Sequence, residues 1–483
     1  MRISSIIPCA RNANGSGHEQ RRQTDGPGKD EVNRMNDFRK TAQEMLEFIR
    51  ISPTCFHAVA NIGRMLEAAG FQQLQEKEEW KLEKGGRYYT ERNDSSVIAF
   101  VIPEKEVGIR GFHMAAAHSD SPCFKIKEKP ELTVEEHYLR LNTEKYGGMI
   151  LSTWLDRPLS VAGRLAVKNG NGIEGRLVNI DRDLCVIPNV AIHMNREMNK
   201  GVEYNPQVDL LPLLADVTFD AHDAQTASEN AEEQPEKVEK PTLTLAALAA
   251  EAAGVDAETI LGEDLFLYTR QEGKMIGAKG EFVLSPRLDD LQSAFALTKA
   301  FTESTPAEYI NLCAVFDNEE VGSGTRQGAD STFLEDTLQR ITEGLQEGHS
   351  TYLRWVADSF LISADNAHAV HPNHPEKADP ANRPYLNGGI VIKYHGSQKY
   401  TTDGISAAKM KDYCERAKVP YQTYANRSDI AGGSTLGNIS TAHVSVSSVD
   451  IGLPQLAMHS AVETAGMKDT EYAVRALKEF WGE

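Results

Sequence analysis

The chain has 483 residues, 40% of them hydrophobic, which is too long for one ordinary core and enough to bury two packed domains. Lysine and arginine number 51 against 70 aspartates and glutamates, a formal charge of −19 that argues against nucleic acid and anionic membrane surfaces as partners, since phosphate recognition needs a basic face. No apolar run approaches the roughly 20 residues of a bilayer span, and the six cysteines (Cys9, Cys55, Cys123, Cys185, Cys313 and Cys414) fall singly, the pattern of a reduced, cytoplasmic compartment.

The opening MRISSIIPCARNANGSG has an apolar patch too short and too broken for a secretory leader. Residues 1–34 read as a disordered extension, with Met35 as the functional start. Phe38, Ala42, Met45, Leu46 and Ile49 then fall at helical spacing, which predicts an amphipathic helix over 37–50 with Asn36 or Asp37 as its cap. From about residue 86 the runs SSVIAFVIP and IRGFHMAAAHSD predict strands. Residues 124–283 have a different texture, with short strand-like pieces such as GRLAVKN and EGRLVNI between Gly/Asn turns, and read as an inserted domain. Within it, 220–241 is acidic and nearly free of large apolar groups, so it is expected to be a mobile surface loop. Helical texture returns in LTLAALAAEAAG, and LSPRLDDLQSAFALTKAFTES predicts a helix beginning near Asp289. Strand and helix then alternate through 309–316, 359–364, 389–394 and 405–418 to a final helix near 470–481. The expected fold is α/β, a mixed sheet flanked by helices and built from 35–123 and 284–483, with 124–283 interrupting it.

Four segments share one layout, an apolar run followed at once by metal-ligating side chains: FHMAAAHSD, INLCAVFDNEE, FLISAD and LPQLAMHS. In an open α/β sheet, groups just beyond the strand carboxyl ends converge on one crevice. His118 and Asp120 are two residues apart, so the carboxylate can orient the imidazole, although a lone H-x-D is equally a surface turn. Glu319 and Glu320 end an apolar run, where one carboxylate can bind a metal while the other takes a proton from water; an isolated Glu-Glu is ordinarily a solvated turn. Asp289, with Asp290 as the adjacent choice, opens a helix, and the plain alternative is an N-cap. Asp365 follows a buried-looking run, and His368, His371 and His374 crowd in behind it. Hydrolytic zinc sites mix histidine with carboxylates, which favours Asp365 as ligand and the histidines as substrate or supporting groups. His459, on an apolar stretch, would alone be an ordinary core histidine. Together, two histidines and three carboxylates match the nitrogen/oxygen ligand set of a two-metal hydrolase.

At these residues the sequence resembles the aspartyl aminopeptidase family of zinc metallopeptidases, as a bacterial-type member. The likeness is carried in order by SPTCFHAV (52–59), AAHSDSPCFKIK (116–127), GGMILSTWLDRPLSVAGR (147–164), IPNVAIHMNRE (187–197), SPRLDD (285–290), DNEEVGS (317–323), SADNAHAVHPN (363–373) and LPQLAMHS (453–460). It implies a catalytic α/β domain interrupted by a β-rich dimerisation domain, assembled from dimers into a homo-dodecamer. It implies a two-zinc site, in which Mn²⁺ or Co²⁺ can substitute, acting on peptides with a free N-terminus. By motif, His118 and Asp365 hold one metal, Glu320 and His459 the other, Asp289 bridges them, Glu319 is the general base and Asp120 orients His118. His193 matches a histidine that reaches a neighbouring subunit's active site; the alternative is an interior strand histidine. Lys393 is the residue to pair with an acidic N-terminal side chain, against the alternative of an exposed strand-end lysine, and His368 and His371 join it around the substrate. Asn189, the loop 427–437 and the length of 220–241 depart from the animal members, so the resemblance leaves acidic and neutral N-terminal preferences both open. A glycosidase built on Glu319 or Glu320 would leave His118 and His459 without a role. A self-assembling scaffold with a dead site would not need the full ligand set and base.

Overall fold

Nine strands form the central sheet of the computed structural model, in the order Gln72–Leu74, Arg87–Arg92, Ser96–Val101, Ile310–Phe316, Phe112–His118, Phe360–Ala364, Ser447–Gly452, Ile390–Tyr394 and Tyr421–Ala425. The structure describes residues 29–104, 108–219, 243–430, 432–433 and 435–483; the acidic segment 220–241 and the first 28 residues of the expected extension lie outside them. Phe112–His118 runs parallel to both Ile310–Phe316 and Phe360–Ala364, while Ser96–Val101 pairs antiparallel with Ile310–Phe316 and Ile390–Tyr394 antiparallel with Ser447–Gly452, so the sheet is mixed.

The three central strands are buried at every position, which is why they read as unbroken apolar runs: both faces of the sheet are covered. Alternate side chains feed two cores. Ala115, Ala117, Cys313, Val315 and Ile362 pack with helices Lys29–Arg50, Cys55–Ala68, Leu288–Thr302, Gly404–Arg416 and Asp469–Trp481. Met114, Ala116, Leu312, Ala314 and Leu361 pack with Phe333–Gly344 and His349–Ala357 on the other face.

A second, six-stranded sheet takes its strands from Cys123–Val134, Tyr138–Tyr146, Leu159–Asn169, Gly172–Asn179, Leu213–Asp216 and Ile260–Thr269. It encloses its own core around Phe124, Trp154, Val161, Leu165 and Leu265. A third sheet, of five short strands, joins Lys274–Ile276 and Phe282–Ser285 to Glu463–Gly466, Pro454–Leu456 and Ala367–His368. The expected boundary at 283 therefore falls inside a sheet whose other strands come from the carboxyl-terminal half.

The first helix differs from the sequence expectation. It runs Lys29–Arg50, so Asn36 and Asp37 lie inside it and cap nothing, and residues 29–34 are helical rather than part of a disordered extension. No glycine or proline interrupts that span, and Asp37 faces the last helix, 3.8 Å from Arg475.

Candidate metal centre

The register of the parallel strands sets the site: His118 lies opposite Phe316, and Ala116 opposite Ser363, so the segments carrying His118, Glu319–Glu320 and Asp365 leave the sheet side by side. His118 closes its strand at 1% exposure. Its Nδ1 lies 3.0 Å from the Asp120 carbonyl and 3.3 Å from Asp120 Oδ1, which turns Nε2 towards the crevice. There Nε2 stands 3.5 Å from Asp289 Oδ1 and 3.9 Å from Asp365 Oδ1. His459 approaches from the opposite side, its Nε2 3.3 Å from Asp289 Oδ2 and 3.3 Å from Glu320 Oε1. The two oxygens of Asp289 thus face two different histidines.

Local backbone explains these placements. The N-cap position of the helix Leu288–Thr302 is Arg287, and Asp289 lies just inside with non-helical φ/ψ, so the N-cap alternative does not describe it. The Asp289–Asp290 peptide bond is cis. His459 follows a strand of the five-stranded sheet, not of the central one, and sits in the left-handed region at φ 65°. The fourth apolar run therefore delivers its histidine by a separate route from the other three. Asp120 holds the turn after Ile310–Phe316, its Oδ1 accepting from Glu319 N at 3.1 Å and its Oδ2 from Glu320 N at 3.2 Å.

The electrostatics are those of a site with excess negative charge. Burial pushes Glu319 up to about 8. Burial, then the nearby Asp289, holds Glu320 well above the carboxylate range. Asp365 is raised by burial against the pull of Lys393. Burial opposes ionisation of Asp289 as well, but the neighbouring imidazoles of His118 and His459 outweigh it and hold the carboxyl low. Both histidines are raised: burial disfavours their charge, and carboxylate partners, Asp120 and Asp289 for His118 and Asp289 for His459, overcome it. Asp289 Oδ1 and Glu320 Oε1 are buried with no hydrogen-bond donor. Buried carboxylate oxygens left without donors cost several kcal/mol unless a cation faces them, so the residues fit a bound metal. Among the described residues two groups could hold one: His118, Asp289 and Glu320, and Asp289, Asp290 and Asp365.

Among the other expected residues, Lys393 is buried, not an exposed strand end, and its Nζ lies 3.5 Å from Asp365 Oδ2. His368 ends the edge strand Ala367–His368 and is open to solvent. His371 and His374 are exposed and stack loosely on each other, ring centres 5.2 Å apart. His193 stands in an exposed turn, so it is not an interior strand histidine, and within one chain it is not among the grouped ligands. Asp290, the adjacent choice to Asp289 in the sequence, also serves the site, as do two residues that the sequence did not single out, Glu463 and Tyr146. Asp290 Oδ2 accepts from His118 N at 3.2 Å. Glu463, four residues after His459, accepts from the backbone N–H groups of His459 at 2.7 Å and Asp289 at 3.1 Å. Tyr146 donates to Asp120 Oδ2 at 2.7 Å. The H-x-x-x-E spacing was a signal for Glu463; nothing in the sequence singles out Tyr146.

The chain matches the family model described as aminopeptidase I zinc metalloprotease (M18) over residues 48–481. It is 48% identical over 446 residues to a probable M18 family aminopeptidase 2 of Clostridium novyi, covering 92% of this chain and 98% of that protein. A chain in the cryo-EM structure of the Ape4 and Nbr1 complex superposes with a TM-score of 0.85 at 37% identity, over 93% of this chain and 86% of that one. The S. cerevisiae mApe1 dodecamer superposes with a TM-score of 0.76 at 26% identity, over 92% of this chain and 97% of that one.

Proposed function

The chain belongs to the M18 family of zinc metallo-aminopeptidases, and from that premise we propose how its own residues perform the hydrolysis and which N-termini it takes. The observation that carries the reading is Asp289, whose two oxygens face His118 and His459 from opposite sides. His118 and Asp365 would hold one zinc ion, Glu320 and His459 a second, and Asp289 would bridge them, with Mn²⁺ or Co²⁺ able to substitute. Bound there, the ions would supply Lewis acidity to the scissile carbonyl and lower the pKa of water.

The remaining work falls to the protein. Glu319 takes a proton from the attacking water and passes it to the leaving amine. Asp120 fixes both the His118 ring and the backbone of the Glu319–Glu320 turn. The acidic crevice attracts the substrate's free α-ammonium, which makes the enzyme an exopeptidase.

For specificity we favour N-terminal Asp or Glu, with Lys393 as the cation beside the N-terminal side chain and His368 and His371 around it. A preference for neutral residues is the second reading, favoured by one observation: Lys393 is already paired with Asp365. For assembly, residues 124–283 would form the dimerisation domain and place His193 at a neighbour's site, with dimers building a homo-dodecamer as in the mApe1 structure. Exposed Val190, Ile192 and Met194 around His193 support an interface there. The cytoplasm is the compartment that five unpaired cysteines among the described residues support. Among these residues no helix is long and apolar enough to cross a membrane.

The test is hydrolysis of aminoacyl chromogenic substrates before and after chelation. Activity should vanish with the chelator and return with Zn²⁺, Mn²⁺ or Co²⁺; chelator-resistant hydrolysis would refute the metal mechanism. A panel of acidic, neutral and basic aminoacyl substrates then separates the two specificity readings.

A further inference from the structure

The segment that leaves the six-stranded sheet after Tyr138–Tyr146 grips the candidate centre from both sides. On one side, the Tyr146 hydroxyl donates to Asp120 Oδ2 at 2.7 Å and accepts from Asn318 Nδ2 at 2.8 Å. Asn318 in turn organises the turn after Glu319–Glu320, its Oδ1 accepting from Thr325 at 2.7 Å and Gln327 at 2.8 Å. On the other side, Ile150 N donates to the His459 carbonyl at 2.9 Å, and Thr153 Oγ1 accepts from Ala461 N at 2.9 Å. Between these contacts, Gly147 adopts φ +77° and passes so close to Glu320 that a Cβ there would stand 3.1 Å from Glu320 Cβ.

The anchor of this strap is the other sheet. The Tyr146 ring packs edge-on against Phe266, centres 5.6 Å apart at 83°, and Phe266 belongs to Ile260–Thr269 of the six-stranded sheet. Tyr146 is also in register with Cys123, three residues beyond Asp120. A rigid ring seated on one sheet thus presents its hydroxyl to a carboxylate seated on another.

We propose that the strap 146–154 is a positioning device through which the inserted sheet sets the geometry of the centre, with Tyr146 aligning Asp120 and the Glu319–Glu320 turn, and Ile150 with Thr153 aligning the segment that carries His459. This rests on the metal-centre reading above. Groups hydrogen-bonded behind metal ligands commonly tune affinity or rate by about 10–100-fold. The strap does so from a different sheet, so movement of the insert against the central sheet reaches both histidine arms at once.

The test uses the full-length, zinc-loaded protein and the variants Tyr146→Phe and Thr153→Val. The readouts are kcat and KM on an aminoacyl p-nitroanilide, the rate of zinc transfer to a chromogenic chelator, and Tm. Tyr146→Phe should lower kcat by about 10–100-fold with KM within about threefold, and speed zinc release. Thr153→Val should speed zinc release by about tenfold, through the His459 arm. Wild-type kcat and zinc release in both variants would overturn the proposal, as would losses that only follow a lowered Tm. Should Tyr146→Phe fail to fold, Thr153→Val with wild-type zinc release overturns it alone. If the wild type itself carries no zinc and resists chelation, the metal-centre reading fails instead.

Discussion

Lys393 and Asp365 form a buried ion pair, Nζ 3.5 Å from Oδ2, with the lysine 2% exposed. Burial works against the ammonium charge, yet Asp365 together with Tyr400 and Asp450 holds Lys393 above its ordinary range. The cation is therefore already committed to Asp365, and an acidic substrate would have to share it.

Replacing this lysine separates its two duties. Lys393→Met should lower kcat/KM for aspartyl and glutamyl substrates by about 10–100-fold, the worth of a charge-assisted hydrogen bond, and change alanyl or leucyl substrates far less. A uniform fall across the panel would assign Lys393 to Asp365 alone.

Glu319→Gln keeps the shape of the turn and removes the proton acceptor. Turnover should drop by about 10²–10⁴-fold while zinc content, measured by metal analysis after dialysis, stays at the wild-type level. Wild-type turnover in this variant would move the base elsewhere.

His459→Ala and Asp289→Asn should differ in stoichiometry. The first removes a ligand from one ion and should bind one equivalent fewer, whereas the second withdraws charge shared by two ions and should weaken both. Equal metal content in the two variants and the wild type would contradict the bridging arrangement.

Away from the centre, His113 gives a pH dependence with a definite sign. It is sandwiched between Tyr309 and Phe480, ring centres 3.6 and 4.6 Å away, and burial lowers its pKa to about 4. The unfolded chain takes up this proton near the ordinary value of about 6.5, so the neutral imidazole's contribution is whole above that pH. It is lost as pH falls from about 6.5 to about 4, by something on the order of 3 kcal/mol. His113→Phe should lose less Tm than the wild type between pH 7 and pH 4.5 in thermal scans; parallel losses would contradict the assignment.

Much of this was legible because burial writes itself into sequence. The strands leading to His118, Glu319–Glu320 and Asp365 are covered on both faces, so they stand out as apolar runs with candidate ligands at their ends. The helix from Lys29 was read eight residues short, because its charged first turns carry no apolar periodicity. His459 shows the same run-then-ligand pattern but belongs to another sheet, since a three-residue strand does not announce its partner. Tyr146, and the pairing of Lys393 with Asp365, stayed hidden for one reason: each is a contact with a residue remote in sequence, and neither chain position nor composition encodes that neighbour.

The separate origin of His459 also bears on how the protein comes apart. Asp289 stands in the helix Leu288–Thr302 beside the central sheet, His459 hangs from the five-stranded sheet, and a metal ion bound between them would fasten the seam where the two meet. Metal loss would then loosen a joint as well as silence a catalyst. In hydrogen–deuterium exchange, chelation should deprotect Glu463–Gly466 and Pro454–Leu456 before the central strands, and a metal-starved cell would hold a chain that is clipped more readily there by other proteases.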